Sequence, residues 1–136
     1  MSDAHKRLTL LGGEGRSPIS ADQIECFPAP PGCSEVVLTN EGELTALCPK
    51  TGQPDYYDLE ISYVPNALCI ESKALKLYLQ GFRDRGNFIE TMAATICQDL
   101  SRICSPTAML VTLRMKPRGG IAITARSFFP DTSTGA

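Results

Sequence analysis

The sequence predicts an α+β domain in which an antiparallel sheet carries two helices on one face. Two kinds of hydrophobic spacing support this prediction. Apolar side chains occupy every second position in residues 57–63, 109–115 and 121–125, as in strands with one buried face. They recur at three- and four-residue spacing in residues 72–83 and 88–103, as in amphipathic helices.

Breaker residues separate these elements. A further short strand is predicted over residues 43–47, and Pro65 and Asn66 end the strand that follows it. Gly86 and Asn87 separate the two helices, and Ser105-Pro106 stops the second. Pro117-Arg-Gly-Gly120 supplies the turn between the last two strands. The predicted order is strand, strand, helix, helix, strand, strand.

The chain of 136 residues fits one domain with a single core, predicted over residues 36–130. Residues 1–35 hold much of the proline, glycine and serine, and are predicted to form an irregular N-terminal arm. Residues 131–136 are predicted to be a flexible C-terminal tail. A sheet this small has open edges, so we expect several subunits to close edge to edge into a ring.

Composition excludes several classes of function. Thirteen basic and fifteen acidic residues give a net charge of −2, which argues against a general nucleic-acid surface. No apolar run reaches the roughly 18 residues that span a bilayer. The polar start Met1-Ser-Asp-Ala-His5 lacks the apolar stretch of a secretory signal. We therefore expect a cytoplasmic protein that needs neither membrane nor nucleic acid.

The six cysteines are expected to be reduced thiols and not metal ligands. No Cys-x-x-Cys pair occurs, and His5 is the only histidine, so the clustered ligands of a zinc site are missing. Cys97 and Cys104 are seven residues apart on one helix and are expected to pack in the core. No metal is predicted.

Cys48 is the first candidate for chemistry. It ends a predicted strand and opens a loop with two prolines and a glycine, which Asp55 closes. A nearby Lys50 would lower the pKa of the thiol, and such a loop can bring a nucleophile and an acid to one substrate. Taken alone, the pattern favours a buried cysteine and a turn aspartate.

The start of the first helix is the second candidate. Glu71 or Ser72 can accept hydrogen bonds from the exposed amides there. Lys73 and Lys76 are three residues apart and share a face, which suits a phosphate-bearing ligand at a helix start. By themselves, two lysines at this spacing more often form a solvated face.

Glu90 and Arg118 are the remaining candidates. Glu90 falls in the first turn of the second helix, where the helix dipole favours a carboxylate, and it could also bind the amide-and-amine edge of a guanine-like base. Arg118 lies in the predicted turn and is either a surface turn residue or a phosphate contact.

Four segments together closely resemble the QueF family: Cys48-Pro-Lys-Thr-Gly-Gln-Pro-Asp55, Glu71-Ser-Lys-Ala-Leu-Lys-Leu-Tyr78, Asn87-Phe-Ile-Glu90 and Pro117-Arg-Gly-Gly120. The resemblance runs in order from about residue 35 to 130. It is to the short, unimodular NADPH-dependent 7-cyano-7-deazaguanine reductases of queuosine biosynthesis. The family's tunnelling fold has the same strand and helix order as the one predicted above.

The resemblance implies a role for each matched residue. Cys48 would add to the nitrile carbon and form a covalent thioimide, and Asp55 would protonate the nitrogen. Two hydrides from two NADPH molecules would then give 7-aminomethyl-7-deazaguanine. The residues implied to bind substrate are Ile70, Glu71, Ser72, Ile89 and Glu90, and those implied to bind NADPH are Lys73, Lys76 and Arg118. Active sites in this family lie between subunits of a ring.

Ile89 departs from the family pattern, because histidine is often found before the base-binding glutamate. Isoleucine forms no side-chain hydrogen bond, so a contact to the substrate or a proton path is changed there. Two alternative functions stay open. One is a QueF-like amidinotransferase, in which ammonia attacks the thioimide. The other is a purine-binding or structural ring without catalysis.

Overall fold

A computed structural model describes residues 17–131. Most of the predicted C-terminal tail lies outside the described residues, as do the first sixteen residues of the predicted arm and His5. A single turn of 3-10 helix covers Ala21–Gln23. The strands and helices that follow are β1 (Cys26–Pro28), β2 (Val36–Leu47), β3 (Pro54–Val64), β4 (Leu68–Ile70), α1 (Ser72–Gln80), α2 (Ile89–Cys104), β5 (Ala108–Arg118) and β6 (Ile121–Phe129).

The main sheet has four antiparallel strands in the order β2-β3-β5-β6. Strand β3 lies inside the sheet, and every second residue from Asp55 to Tyr63 is buried. This is the alternation that the sequence predicts. Leu59, for example, pairs with Asn40 on one side and Leu113 on the other. The α+β prediction is confirmed.

Both helices bury an apolar face in the same core as the sheet. Helix α2 ends at Cys104, followed by Ser105 in the left-handed conformation (φ 46°), so it stops at the predicted Ser-Pro. Cys97 and Cys104 are buried, which confirms their predicted core positions. Helix α1 ends at Gln80, three residues before the predicted end, because the amides of residues 81–83 bond three residues back and tighten the chain into a turn.

Strand β2 begins at Val36, seven residues before its predicted start. A bulge between Glu41 and Leu44 interrupts the pairing with β3, and Gly42 takes φ 76° there. The Gly42 N–H donates to Asp58 Oδ1 at 2.8 Å. The first half of the strand alternates in burial, but Val37 is apolar on the exposed face and Asn40 is polar on the inner face, so its sequence shows no clear period of two. The hairpin between β5 and β6 turns at Gly119 and Gly120, both with positive φ, as its sequence predicts.

A second, two-stranded sheet joins β1 to β4. Cys26 pairs with Ile70, and the Glu71 N–H donates to Glu25 O at 3.0 Å. Strands of three residues are too short to show a period, so neither was predicted. The pairing fixes the chain directly before α1 and holds part of the predicted arm against the domain. Within residues 17–131, none of the helices has the length and apolar character that a membrane crossing requires.

Candidate active site

The loop between β2 and β3 places Cys48 beside Asp55. Leu47 is the last residue of β2 and pairs with Pro54, and Ala46 pairs with Asp55. The Cys48 N–H donates to Gln53 O, and its carbonyl accepts from the Gly52 N–H, both at 2.8 Å. These two bonds close the loop on itself. The nucleophile and the acid predicted from the sequence are therefore held at the turn end of one hairpin.

Five residues predicted for the site line one cavity of about 380 Å³: Cys48, Asp55, Ile89, Glu90 and Arg118. Their side chains come from the loop, from β3, from the start of α2 and from the end of β5. The remaining lining residues are Pro49, Tyr57, Asn87, Phe88, Met115, Ile121 and Ile123. Most of the wall is apolar, with a few polar groups that converge, as in small-molecule sites.

Backbone hydrogen bonds bring the start of α2 to Cys48. The Leu47 N–H donates to Arg85 O at 2.8 Å, and the Asn87 N–H donates to Leu47 O at 3.1 Å. Gly86 lies so close to the loop that an added Cβ would be 3.4 Å from Pro49 Cα. Ile89 and Glu90 then open the helix, with Ile89 buried and Glu90 exposed toward the cavity. The strand end and the helix start are thus locked together.

The environment of Cys48 favours its thiolate. A hydrogen bond from the Thr51 side chain, then the backbone N–H groups of Thr51 and Lys50, lower the pKa of the half-buried thiol to about 7. Arg118 adds to this effect, and partial burial opposes it. The sequence predicted Lys50 as the cause, but the structure gives the largest part to Thr51, and Lys50 acts through its backbone. About half of the thiol is ionised at neutral pH.

Asp55 is buried, with 6% of its surface exposed. Arg118 Nη1 donates to Asp55 Oδ1 at 2.5 Å, and Arg118 Nη2 donates to Gln53 Oε1 at 2.9 Å. The partnership with Asp55 raises the pKa of the Arg118 guanidinium further. A buried carboxylate needs such a partner. Arg118 therefore ties the end of β5 to both the loop and the acid.

Tyr57 is a site residue that the sequence analysis missed. It lies two residues after Asp55 on β3, so the two side chains point to the same face of the sheet. Burial, and then the charges of Asp55 and Cys48, raise the pKa of the Tyr57 hydroxyl to about 12. The alternation of β3, already noted from the sequence, was the signal that could have placed it beside the acid.

A protein-family model described as QueF-like protein matches residues 54–131, more than half of the chain. The chain belongs to the QueF family. The proteins named NADPH-dependent 7-cyano-7-deazaguanine reductase include relatives from Syntrophus aciditrophicus, 43% identical over 122 residues, and from Bacillus subtilis, 42% identical over 120 residues. These matches cover 89% and 85% of this chain, and 85% and 73% of the respective relatives.

The crystal structure of the archaeosine synthase QueF-Like in the apo form has the same fold, with a TM-score of 0.66 and 19% sequence identity. The match covers 74% of this chain and 94% of that one. It confirms the tunnelling fold expected from the resemblance.

The other residues that the QueF resemblance singled out lie outside the cavity of Cys48. Glu71 caps α1, with its two carboxylate oxygens accepting the N–H groups of Lys73 at 2.9 Å and Ala74 at 2.7 Å. Ile70 is buried, and Ser72 is exposed at the helix start. Within one chain, Glu71 of the QueF sequence motif therefore acts as the N-cap of α1.

Lys76 lines a second cavity, of about 610 Å³, between α1 and the β2–β3 hairpin. Arg83 lies in the same wall, together with the acidic residues Glu43 and Asp84. Leu47 and Pro54 also line it, although their chain neighbours Cys48 and Asp55 line the first cavity. The hairpin end thus separates the two cavities. An exposed lysine one turn from Lys73 fits a phosphate-bearing cofactor.

Proposed function

We propose that this chain catalyses the NADPH-dependent reduction of 7-cyano-7-deazaguanine to 7-aminomethyl-7-deazaguanine in the cytoplasm, as a step of queuosine biosynthesis. The observation that carries the proposal is the cavity shared by an activated Cys48, the buried Asp55 and Glu90. Relatives that match most of the chain share the corresponding enzyme name. A thiol and an acid on one hairpin suit covalent catalysis with proton transfer.

In the first step, the Cys48 thiolate attacks the nitrile carbon. A carbon–sulfur bond forms, and one π-electron pair of the nitrile moves to the nitrogen. Asp55 in its protonated form gives its proton to that nitrogen, which yields a neutral thioimide. Arg118 holds Asp55 Oδ1, and because a guanidinium only donates hydrogen bonds, the proton that Asp55 transfers is carried by Oδ2.

Glu90 is proposed to accept hydrogen bonds from the amide and amine edge of the base. Its backbone position in the first turn of α2 is fixed by the bonds between Leu47 and Asn87. Ile89 packs in the wall of the same cavity and contributes shape only. Ile70, Glu71 and Ser72 are proposed to line the substrate pocket of a neighbouring subunit, since within one chain they lie outside this cavity.

Bound NADPH supplies hydride, and about two hydrides convert a nitrile to an amine. Lys73, Lys76 and Arg118 are proposed to hold its phosphates. Lys76 offers an exposed ammonium on the wall of the larger cavity. Arg118 is 41% exposed, and its guanidinium has N–H groups that neither Asp55 nor Gln53 uses and that can donate to a phosphate.

A homo-oligomeric ring is proposed to complete the site. Strands β2 and β6 are the open edges of the main sheet, and exposed apolar side chains lie along them, with Val37 at 50% and Phe128 at 56% exposure. Mixing a Cys48→Ala variant with a Lys76→Ala variant tests the shared site. If the two residues come from different subunits, random exchange restores about a quarter of the sites. Activity is measured at an NADPH concentration far below the KM of Lys76→Ala, where that variant alone is slow, and activity that does not rise above that of the unmixed variants contradicts the shared site.

The direct test follows NADPH absorbance after addition of 7-cyano-7-deazaguanine. We expect about two NADPH consumed per nitrile, none with Cys48→Ala, and full activity with Cys33→Ala, a half-buried cysteine outside the cavity. Intact mass detects the covalent adduct. An amidine formed from ammonia without NADPH consumption would assign the amidinotransferase instead. Binding of 7-cyano-7-deazaguanine without a covalent adduct would favour the non-catalytic purine-binding protein.

A further inference from the structure

Three tyrosine side chains in the core are at most 2% exposed: Tyr57, Tyr63 and Tyr78. The Tyr63 hydroxyl accepts the Ile70 N–H at 2.9 Å, and the Tyr78 hydroxyl donates to Asp99 Oδ2 at 2.6 Å. Within residues 17–131, no group hydrogen-bonds to the Tyr57 hydroxyl. A buried tyrosine hydroxyl normally has a partner. The Tyr57 hydroxyl is not sealed in the core, because among the described residues only Asn40 Oδ1 is buried without a partner; it opens into the cavity of Cys48, which Tyr57 lines.

Tyr57 shares the cavity wall with Cys48 and Asp55, and it follows Asp55 on the same face of β3. Among the charges that act on it, those of Asp55 and Cys48 rank ahead of that of Glu90. Because the pKa of the hydroxyl is raised to about 12, it keeps its proton at neutral pH and is a hydrogen-bond donor. Ile89, in the same wall, has no polar side-chain atom. Tyr57 is the one hydroxyl among the lining residues of this cavity.

We propose that the Tyr57 hydroxyl donates a hydrogen bond to the nitrile nitrogen of the bound substrate and keeps it while the thioimide forms. This inference rests on the proposed function and adds a catalytic residue to it. No proton leaves Tyr57. The carbon–sulfur bond forms at Cys48, the π pair moves to nitrogen, and Asp55 supplies the proton. The hydrogen bond stabilises the negative charge that develops on nitrogen before that proton arrives.

The test compares Tyr57→Phe with Tyr78→Phe, a matched loss of one buried hydroxyl away from the cavity. Thioimide formation is measured by rapid quench and intact mass, with substrate but without NADPH. For Tyr57→Phe we expect about a tenfold slower adduct formation and an unchanged urea midpoint, because the hydroxyl has no partner in the empty protein. For Tyr78→Phe we expect normal adduct formation and a lower urea midpoint.

The outcomes test separately the role of Tyr57 and the proposed reductase function. An adduct rate in Tyr57→Phe equal to wild type overturns the role of Tyr57. A rate loss accompanied by a urea midpoint as low as that of Tyr78→Phe also overturns it, since the effect is then structural. If wild-type protein forms the adduct but consumes no NADPH, the reductase function is overturned. The adduct rates of Tyr57→Phe and wild type still test the role of Tyr57. Wild-type protein that forms no adduct overturns both.

Discussion

The lowered pKa of Cys48 predicts how much faster this thiol reacts at pH 7 than an ordinary thiol. Its pKa of about 7 compares with an ordinary value of 9.0. At pH 7 the thiolate fraction is therefore about one half in place of about one hundredth. A less basic thiolate is also a weaker nucleophile, and a Brønsted slope of about 0.4–0.5 over this difference removes nearly tenfold. Cys48 should then react roughly fivefold faster at pH 7 than an ordinary thiol.

The perturbation is Thr51→Val, which removes the hydroxyl that contributes most to the lowered pKa of Cys48. The assay follows the rate of reaction with an aromatic disulfide, 5,5′-dithiobis(2-nitrobenzoate), as a function of pH. The wild-type rate should rise with a midpoint near pH 7 and then level off. In Thr51→Val the midpoint should move toward 9.0, the ordinary value. Thr51→Ser keeps the hydroxyl and should retain the wild-type profile.

Two of the other cysteines should contribute little to the measured rate. Burial raises the pKa of Cys26 to about 11 and that of Cys104 to about 12, so these thiols stay protonated and react slowly. The fast reaction with the aromatic disulfide, which we assign to Cys48, must also be absent in Cys48→Ala. A wild-type midpoint close to 9, or a profile that is identical in Thr51→Val and wild type, would refute the account of how the loop activates the thiol.

Three further predictions concern the groups around the site. Arg118→Met leaves Asp55 buried without its partner and should lower the urea midpoint. Arg102→Met removes two ion pairs of an exposed arginine, with Asp22 and Asp99, and should leave the midpoint almost unchanged. Equal midpoints would contradict this. Glu71→Ala removes the cap of α1 and should cost about 1 kcal/mol of unfolding free energy, measured in urea. Lys76→Ala should raise the KM for NADPH about tenfold without slowing adduct formation, while a wild-type KM would remove Lys76 from the cofactor site.

The fold could be predicted where one face of an element is buried along its whole length. Strand β3 and helix α2 satisfy this condition, and their sequences show it as a clear period. Strands β1 and β4 could not be predicted, because they have three residues each and their pairing depends on contacts between distant parts of the chain. The first half of β2 was missed because the apolar Val37 lies on its exposed face and the polar Asn40 on its inner face, so the sequence does not show the alternation.

Only part of the candidate site could be predicted from the sequence, again because some of it depends on contacts between distant residues. Residue type and loop chemistry singled out Cys48 and Asp55, which the cavity brings together. Thr51 and Tyr57 looked like ordinary loop and strand residues, since their effect depends on distances that no local pattern encodes. The pairing of Arg118 with Asp55 joins residues 63 positions apart in the sequence, so it appears only once β3 and β5 are aligned.

The hairpin formed by β2 and β3 would let Cys48 and the proposed cofactor residue Lys76 act on one molecule although they line different cavities in one chain. Its closed loop fixes Cys48 and Asp55 relative to each other before substrate arrives, which removes the cost of ordering them later. On the other side of the same hairpin, Lys76 faces a separate cavity. Because β2 is an edge strand, a second subunit can approach this hairpin directly. A site built across that edge would combine a thiol held by one chain with the cofactor face of another, and assembly would then be a condition of catalysis.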